Sequence, residues 1–219
     1  MDTRMLELMA ERHSVRRFTA QPIETTKREV LDALVAQINT SSGLHNQIVY
    51  DEPSCFDSVM ARYGKLSGVS NYIALVGKKS KNLHEVAGYF GEQLVLKAQE
   101  LGLNTCWVAL TYGKSKAIVE KGEKLVCLIA LGYGSTQGIP HKNKPLSNLC
   151  NCTEDSPQWF KVGMNGVLLA PTAMNQQQFY FELTETNQVK ATAKAGFYAK
   201  LDLGIAKFHF EAVTGVKVL

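Results

Sequence analysis

Leu125-Val126-Cys127-Leu128-Ile129-Ala130-Leu131 is an unbroken apolar run, far shorter than a membrane span and without the alternation of a half-solvated strand. Such a run demands burial on both faces, so the chain must place layers above and below it. Gly132-Tyr133-Gly134 then breaks the strand and opens a polar loop through Lys142 and Lys144.

The rest of the pattern supplies partners for that strand. Tyr72-Ile73-Ala74-Leu75-Val76, Thr105 to Leu110 and the shorter Ile48-Val49-Tyr50 read as strands. Helical spacing marks Met5 to Ala10, ending at the basic Arg12-His13-Ser14, and a second segment with Val30, Leu31, Leu34, Val35 and Ile38 on one stripe. Thr25 or Thr26 would cap that second helix, and Ser41-Ser42-Gly43 would end it. The longest helical pattern runs from His84 to Leu101, with Gly102 as its stop. In the last third, a helix around Trp159 to Leu168 leads into the turn Ala170-Pro171-Thr172-Ala173-Met174-Asn175. A strand Phe179 to Leu183, a hairpin partner near Val189 and a helix from Tyr198 to Val213 follow. Helix, polar turn and strand thus occur twice, from Val30 to Tyr50 and from Phe160 to Phe181, which suggests a tandem of two half-folds. The expected division is residues 1–152 as a first half and 153–219 as a second, shorter one, forming one unit.

Composition narrows the function classes. The 219 residues carry a net charge of +4 with Lys and Arg scattered along the chain, which speaks against a nucleic-acid surface and suits a small phosphorylated ligand. Five cysteines make an odd set with no disulfide framework, so a reducing cytoplasm is the expected compartment. Neither a leader peptide nor a membrane anchor is expected. Cys150-Asn151-Cys152 is too closely spaced for a tetrahedral zinc pair and has no matching pair elsewhere, so no metal site is expected.

The sharpest chemical signal is Arg12-His13-Ser14-Val15-Arg16, where two guanidiniums, an imidazole and a hydroxyl meet just past a helix end. Arg brings a planar fork for phosphate or carboxylate, and Ser a short adaptable donor. Read alone, the run suits a solvated basic turn at least as well. Lys142 and Lys144, in the loop beyond the buried strand, and the turn Ala170 to Gln177 are its candidate companions.

These segments, with Gly102-Leu103-Asn104-Thr105-Cys106-Trp107 and Ala130-Leu131-Gly132-Tyr133, resemble the nitroreductase family of FMN enzymes over most of the chain. The resemblance implies an α+β nitroreductase-like fold, a central mostly antiparallel sheet flanked by helices. It also implies FMN as cofactor, with Arg12, His13 and Ser14 on the phosphate side, Arg16 near N1 and O2 of the ring, and Lys142 and Lys144 closing on the phosphate. Pro171, Thr172, Ala173, Asn175 and Gln177 would cover the flavin, Lys65 would reach the ring or ribityl chain, and backbone donors at Trp107, Val108 and Ala109 would meet its edge.

Four departures stand out. Thr172 replaces the family's Ser, Gln178 stands where Pro is usual, Asn104 replaces the second Gly of its Gly-Leu-Gly-x-x-Trp turn, and the flavin-covering turn lies near the C-terminus where common members have it early. That order is similar to the TM-type nitroreductase branch, with two half-folds in one chain. An internal pseudo-dimer, or a homodimer, would then bind one flavin per chain. The implied activity is hydride transfer from NADH or NADPH through FMN to a nitroaromatic, quinone or other flat small-molecule acceptor, by a ping-pong cycle. No protein nucleophile is required, because the flavin carries the chemistry. The alternative is a flavin-binding protein without turnover, a sensor or a store.

Overall fold

The computed structural model describes residues 2–219, which gather into two compact units whose segments interleave along the chain. The sheet unit is Arg12–Leu83 with Gln93–Ile139; the helical unit takes the chain up to Glu11, then His84–Glu92 and Pro140–Leu219. This division differs from a single cut after residue 152, because the first helix and the segment His84–Glu92 group with the C-terminal third.

In the sheet unit, β1 (Gln47–Val49), β2 (Asn71–Lys78), β3 (Asn104–Val108) and β4 (Glu123–Gly132) form one sheet in the order β1-β2-β4-β3. Every pairing is antiparallel. The apolar run therefore lies in β4, between two neighbours, where a strand with no polar face has to be. Alternation sorts the two faces. Tyr72 and Ala74 of β2, Leu128 and Ala130 of β4 and Cys106 and Val108 of β3 join Val15, Phe18, Phe56 and Val69 in one core cluster. Ile73 and Leu75, paired with Ile129 and Cys127, are equally buried on the other face.

Helix α1 (Thr3–Glu11) belongs to the other unit, and α2 (Thr25–Ser42) buries Leu31, Val35 and Ile38 as one stripe. Val30, 42% exposed, falls outside the stripe. The residue before α2 is Glu24, with no side-chain cap bond, so neither threonine is the cap. A 3-10 turn, Pro53–Phe56, and the short α3 (Val59–Tyr63) fill a stretch whose sequence shows no periodicity. Helix α4 (Leu83–Glu100) stops as expected, with Gly102 at φ 74 and its N–H on the Gln99 carbonyl. Strand β3 ends at Val108, two residues short of the expected Leu110.

A polar pillar stands inside this apolar unit. The Tyr72 hydroxyl donates to Glu52 Oε2 at 2.8 Å and accepts the Lys116 N–H at 3.0 Å. Its one proton is thereby used, so the Ser115 hydroxyl, 2.9 Å away, donates to it. Tyr72 and Glu52 are buried, and together they tie the irregular chain around 115–116 to the sheet. Tyr72→Phe is expected to leave the buried Glu52 carboxylate short of a donor and to cost about 2 kcal/mol. A thermal melt should then shift down by roughly 4–8 °C; an unchanged melt would show that the pillar contributes nothing net.

The helical unit holds α1, the first half of α4, α5 (Gln158–Leu168), α6 (Ala199–Thr214) and the hairpin β5 (Phe179–Leu183) with β6 (Val189–Ala193). Residues 201–206 of α6 are buried. Phe160, Phe181 and Phe210 form its aromatic core, with ring centroids 5.7 to 5.8 Å apart. His209, fully buried, donates from Nδ1 to the Gly166 carbonyl at 2.9 Å and lies 3.0 Å from Glu92 Oε1 through Nε2, linking α6 to α5 and α4. Among the described residues no helix is long and apolar enough to cross a membrane.

Candidate functional site

The predicted site residues fall into two groups, one in each compact unit. Arg12, His13, Ser14, Arg16, Lys65, Trp107, Val108 and Ala109 belong to the sheet unit, and Lys142, Lys144, Pro171, Thr172, Ala173, Asn175 and Gln177 to the helical unit.

In the sheet unit the basic run is stitched into place by its backbone. Val15 N–H donates to the Thr105 carbonyl at 3.0 Å, so Ser14 bridges the free edge of β3. Ser67 N–H donates to Arg16 O at 3.0 Å and Phe18 N–H to Ser67 O at 2.9 Å; Ser135 N–H donates to Arg17 O and Thr19 N–H to Tyr133 O. Val15 and Phe18 are the buried anchors, which leaves Arg16 and Arg17 exposed between them. Arg12 is nearly covered, at 3% exposure, whereas His13 and Ser14 are half-buried.

The chain after β4 closes under the same run. The His13 ring Nδ1 lies 3.3 Å from the Gln137 carbonyl, and Asn104 donates to Gln137 Oε1 at 2.8 Å while accepting the Gly134 N–H at 2.8 Å. Asn104 stands where the resembling motif has glycine, and its carboxamide makes two ties that glycine could not. Gly138, at φ 74, allows the approach: a Cβ there would lie 2.7 Å from His13 Cβ and 3.2 Å from the Ser14 carbonyl.

Cys106 of β3 lies near these side chains. Burial pushes its thiol pKa up, while the Arg16 and Arg12 guanidiniums and the Ser14 hydroxyl all act in the opposite direction. Two guanidiniums and a hydroxyl are thus carried along the edge of β3, where the Val15 N–H holds the run to the Thr105 carbonyl at 3.0 Å. That donor set, full charge plus short neutral donors, is chemically suited to a phosphate monoester. Lys65 is exposed, in a left-handed conformation at φ 59, two residues before the Ser67 that pairs with Arg16. Trp107 and Ala109 are half-buried at the end of β3, and the Val108 side chain is spent in the core cluster, so only its backbone is open to a ligand.

In the helical unit the two predicted segments meet. Gln177, 3% exposed, accepts the Lys144 N–H at 2.8 Å, and its Nε2, with two protons to give, lies 3.0 Å from the Lys142 carbonyl, 3.2 Å from Asn143 Oδ1 and 3.1 Å from Asn175 Oδ1. Asn175 also donates to the Lys142 carbonyl at 2.8 Å, and Thr172 Oγ1 accepts the Gln177 N–H at 3.1 Å. The amide-rich sequence of this turn thus serves first to lock it to the lysine loop. Pro171 is buried, Thr172 and Ala173 are half-buried, and Met174 reaches out at 88% exposure. Met174, Asn175 and Gln177 all have left-handed backbones, at φ 54, 53 and 43, a conformation that non-glycine residues hold only when their surroundings impose it.

Sequence reasoning missed one member of this site, Asp202 of α6, whose carboxylate accepts the Ala173 N–H. The available signal was a lone acid inside Leu201-Asp202-Leu203, where a buried helix face leaves a charge no access to water. Among the described residues no group of His, Cys, Asp and Glu could hold a metal ion, and Cys150 and Cys152 are free thiols.

Solved structures share this architecture. A putative nitroreductase from Thermotoga maritima MSB8 matches with a TM-score of 0.70 and 22% identity, over 95% of this chain and 82% of that one. A putative nitroreductase in complex with FMN from Desulfovibrio desulfuricans matches at 0.54 and 19%, over 72% and 99%. A putative NADH dehydrogenase/NAD(P)H nitroreductase from Bacteroides thetaiotaomicron matches at 0.53 and 18%, over 68% and 97%. At these identities the likeness is one of fold, and it agrees with an antiparallel sheet flanked by helices. No curated protein matches the chain. Residues 4–214, nearly the whole chain, match one family description, and the chain belongs to that family, the Putative TM nitroreductases.

Proposed function

We propose that this protein is an FMN-dependent oxidoreductase that takes a hydride from NADH or NADPH and delivers it to a flat small-molecule acceptor such as a nitroaromatic or quinone. The observation that carries the reading is the placement of the Arg12 to Arg16 run along the edge of β3, with the Val15 N–H on the Thr105 carbonyl and the Ser67 N–H on the Arg16 carbonyl, in a chain of nitroreductase family and fold. When bound, FMN supplies reversible hydride acceptance at its ring, so the protein needs no nucleophile of its own.

The tasks left to the chain are binding, orientation and electrostatics. Arg12, His13 and Ser14 would take the phosphate, and the exposed Arg16 would place a fixed cation at the electron-rich edge of the ring, where negative charge gathers on reduction. The loop pinned by Asn104 and Gln137 holds the run at one height along β3. Lys142 and Lys144, locked to the Ala170 to Gln177 turn within the helical unit, would offer a further set of flavin contacts. Lys65 and the backbone of Trp107 to Ala109 complete the ring side.

The test begins with the absorbance of the purified chain. Flavin bands released on denaturation and identified as FMN are expected, followed by NAD(P)H oxidation that depends on menadione or a nitroaromatic. A chain that holds FMN but is reduced by neither nucleotide would be a flavin-binding protein without turnover. A colourless chain that FMN does not titrate would overturn the cofactor itself.

A further inference from the structure

Asp202 is the fourth residue of α6 and is 1% exposed. Both its oxygens accept one donor, the Ala173 N–H, at 3.0 and 3.1 Å. Burial pushes its pKa up to about 7, with the Ala173 N–H and the Gln176 amide working against that rise. No charged partner offsets the burial among these causes.

The turn at the other end of this contact has internal bonds, Asn175 N–H to the Thr172 carbonyl at 3.0 Å and Gln177 N–H to Thr172 Oγ1 at 3.1 Å. Its left-handed residues Met174, Asn175 and Gln177 are also tied from outside: Asn175 and Gln177 to the Lys142 carbonyl on one side, and Ala173 to Asp202 on the other. An ionised carboxylate accepts a markedly stronger hydrogen bond than a neutral acid does. The strength of the second tie therefore follows the charge on Asp202. The titratable groups on the elements around it are engaged elsewhere or lie on the lysine loop. On α4, His84 packs on Tyr198 and Glu85 is paired with Lys207 at 2.7 Å; on the loop, Lys144 Nζ reaches the Gln177 carbonyl at 3.5 Å, and Lys142 is exposed.

We propose that Asp202 is a positioning residue that latches the Ala170 to Gln177 turn through the Ala173 amide and slackens it on taking up a proton. The proposal rests on the reading of that turn as part of the flavin site, and gives the site a proton-sensitive component. Above the folded pKa the latch is charged and tight; below it the latch is neutral and loose. The sign for stability is opposite. A carboxyl whose pKa is raised by folding gives its full stability contribution below the ordinary carboxylate range and loses it as pH rises through about 7. The turn is thus tightened at some cost to the fold.

Asp202→Asn tests this, because the amide keeps a carbonyl acceptor of the same shape but never ionises. Hydrogen exchange of the segment 170–178, measured on the full chain and corrected for intrinsic rates, should be about fivefold to tenfold faster in the variant near pH 8. Near pH 6 the two proteins should exchange alike, because the native residue is then neutral too. FMN titration should follow the same pattern, with Kd raised several-fold by the variant near pH 8 and unchanged near pH 6. Equal exchange near pH 8, or a difference of the same size at both pH values, would overturn the latch. Failure of both proteins to bind FMN would instead remove the cofactor reading, leaving the exchange comparison to decide the latch alone.

Discussion

Double replacement of Arg12 and Arg16 by alanine is expected to strip the chain of FMN. Each charge-assisted contact contributes about 1.5–3 kcal/mol, so losing two weakens binding by roughly 150-fold to 25,000-fold. A flavin that co-purifies with the unaltered chain should be absent from the variant. The two positions are not equivalent. Arg12 is nearly buried, so its removal also disturbs local packing, and a melt must accompany the titration. Arg16 is exposed, which makes Arg16→Ala the cleaner variant, with an expected loss of about tenfold or more at an unchanged melting temperature. Unaltered FMN affinity in the double variant would remove the basic run from the site, whatever the fate of the cofactor reading.

Gly204→Ala is expected to destabilise the fold severely although it adds a single methyl group. A Cβ at Gly204 would stand 1.9 Å from the Glu85 carbonyl oxygen and 2.8 Å from Tyr89 N. The contact is reciprocal, since a Cβ at Gly88 would stand 2.1 Å from the Leu201 carbonyl oxygen. Both obstacles are backbone, so no rotamer change relieves them and the two helices must move apart. Intrinsic propensity points the other way, favouring alanine over glycine by about 1 kcal/mol within a helix. The clash should prevail, with a net cost of about 3 kcal/mol or more and a melting temperature lower by roughly 6–12 °C. Because Asp202 is two residues away, exchange of the segment 170–178 should rise as well. A stabilised Gly204→Ala protein would show that α4 and α6 are less closely apposed than they stand in this structure.

Much of the secondary structure was legible from local pattern. The apolar run at Leu125 to Leu131 has no solvent face to offer, so it could only become a strand with neighbours on both sides, and β4 is that strand. The stripe of α2 could be read for a related reason, because burial on one side imposes the period of the element on the sequence; α6, with residues 201–206 all buried, carries no such stripe. Legibility failed where stability comes from outside the segment. The chain from Pro53 to Tyr63 has no apolar period; it is held by Glu52 and Tyr72 beside it and by Ala61 and Phe56 in the core. Thr25 looked like a cap, yet the cap position is one residue earlier, since caps depend on how the incoming chain turns.

The candidate site divides along the same line. Sequence by itself determined the donor chemistry, two arginines, a histidine and a serine within five residues, because residue type sets charge and hydrogen-bonding capacity before any fold exists. It also determined that a turn rich in amides follows Ala170. Only the tertiary structure decided what those groups do. It laid the Arg12 to Arg16 run along the edge of β3, turned Gln177 inward to clamp the lysine loop, and set Asp202 under Ala173. The physical reason is distance along the chain. A period or a donor set is a local property, whereas a hydrogen bond between positions 144 and 177, or 173 and 202, is a product of packing elsewhere, and neither partner carries a mark of the other.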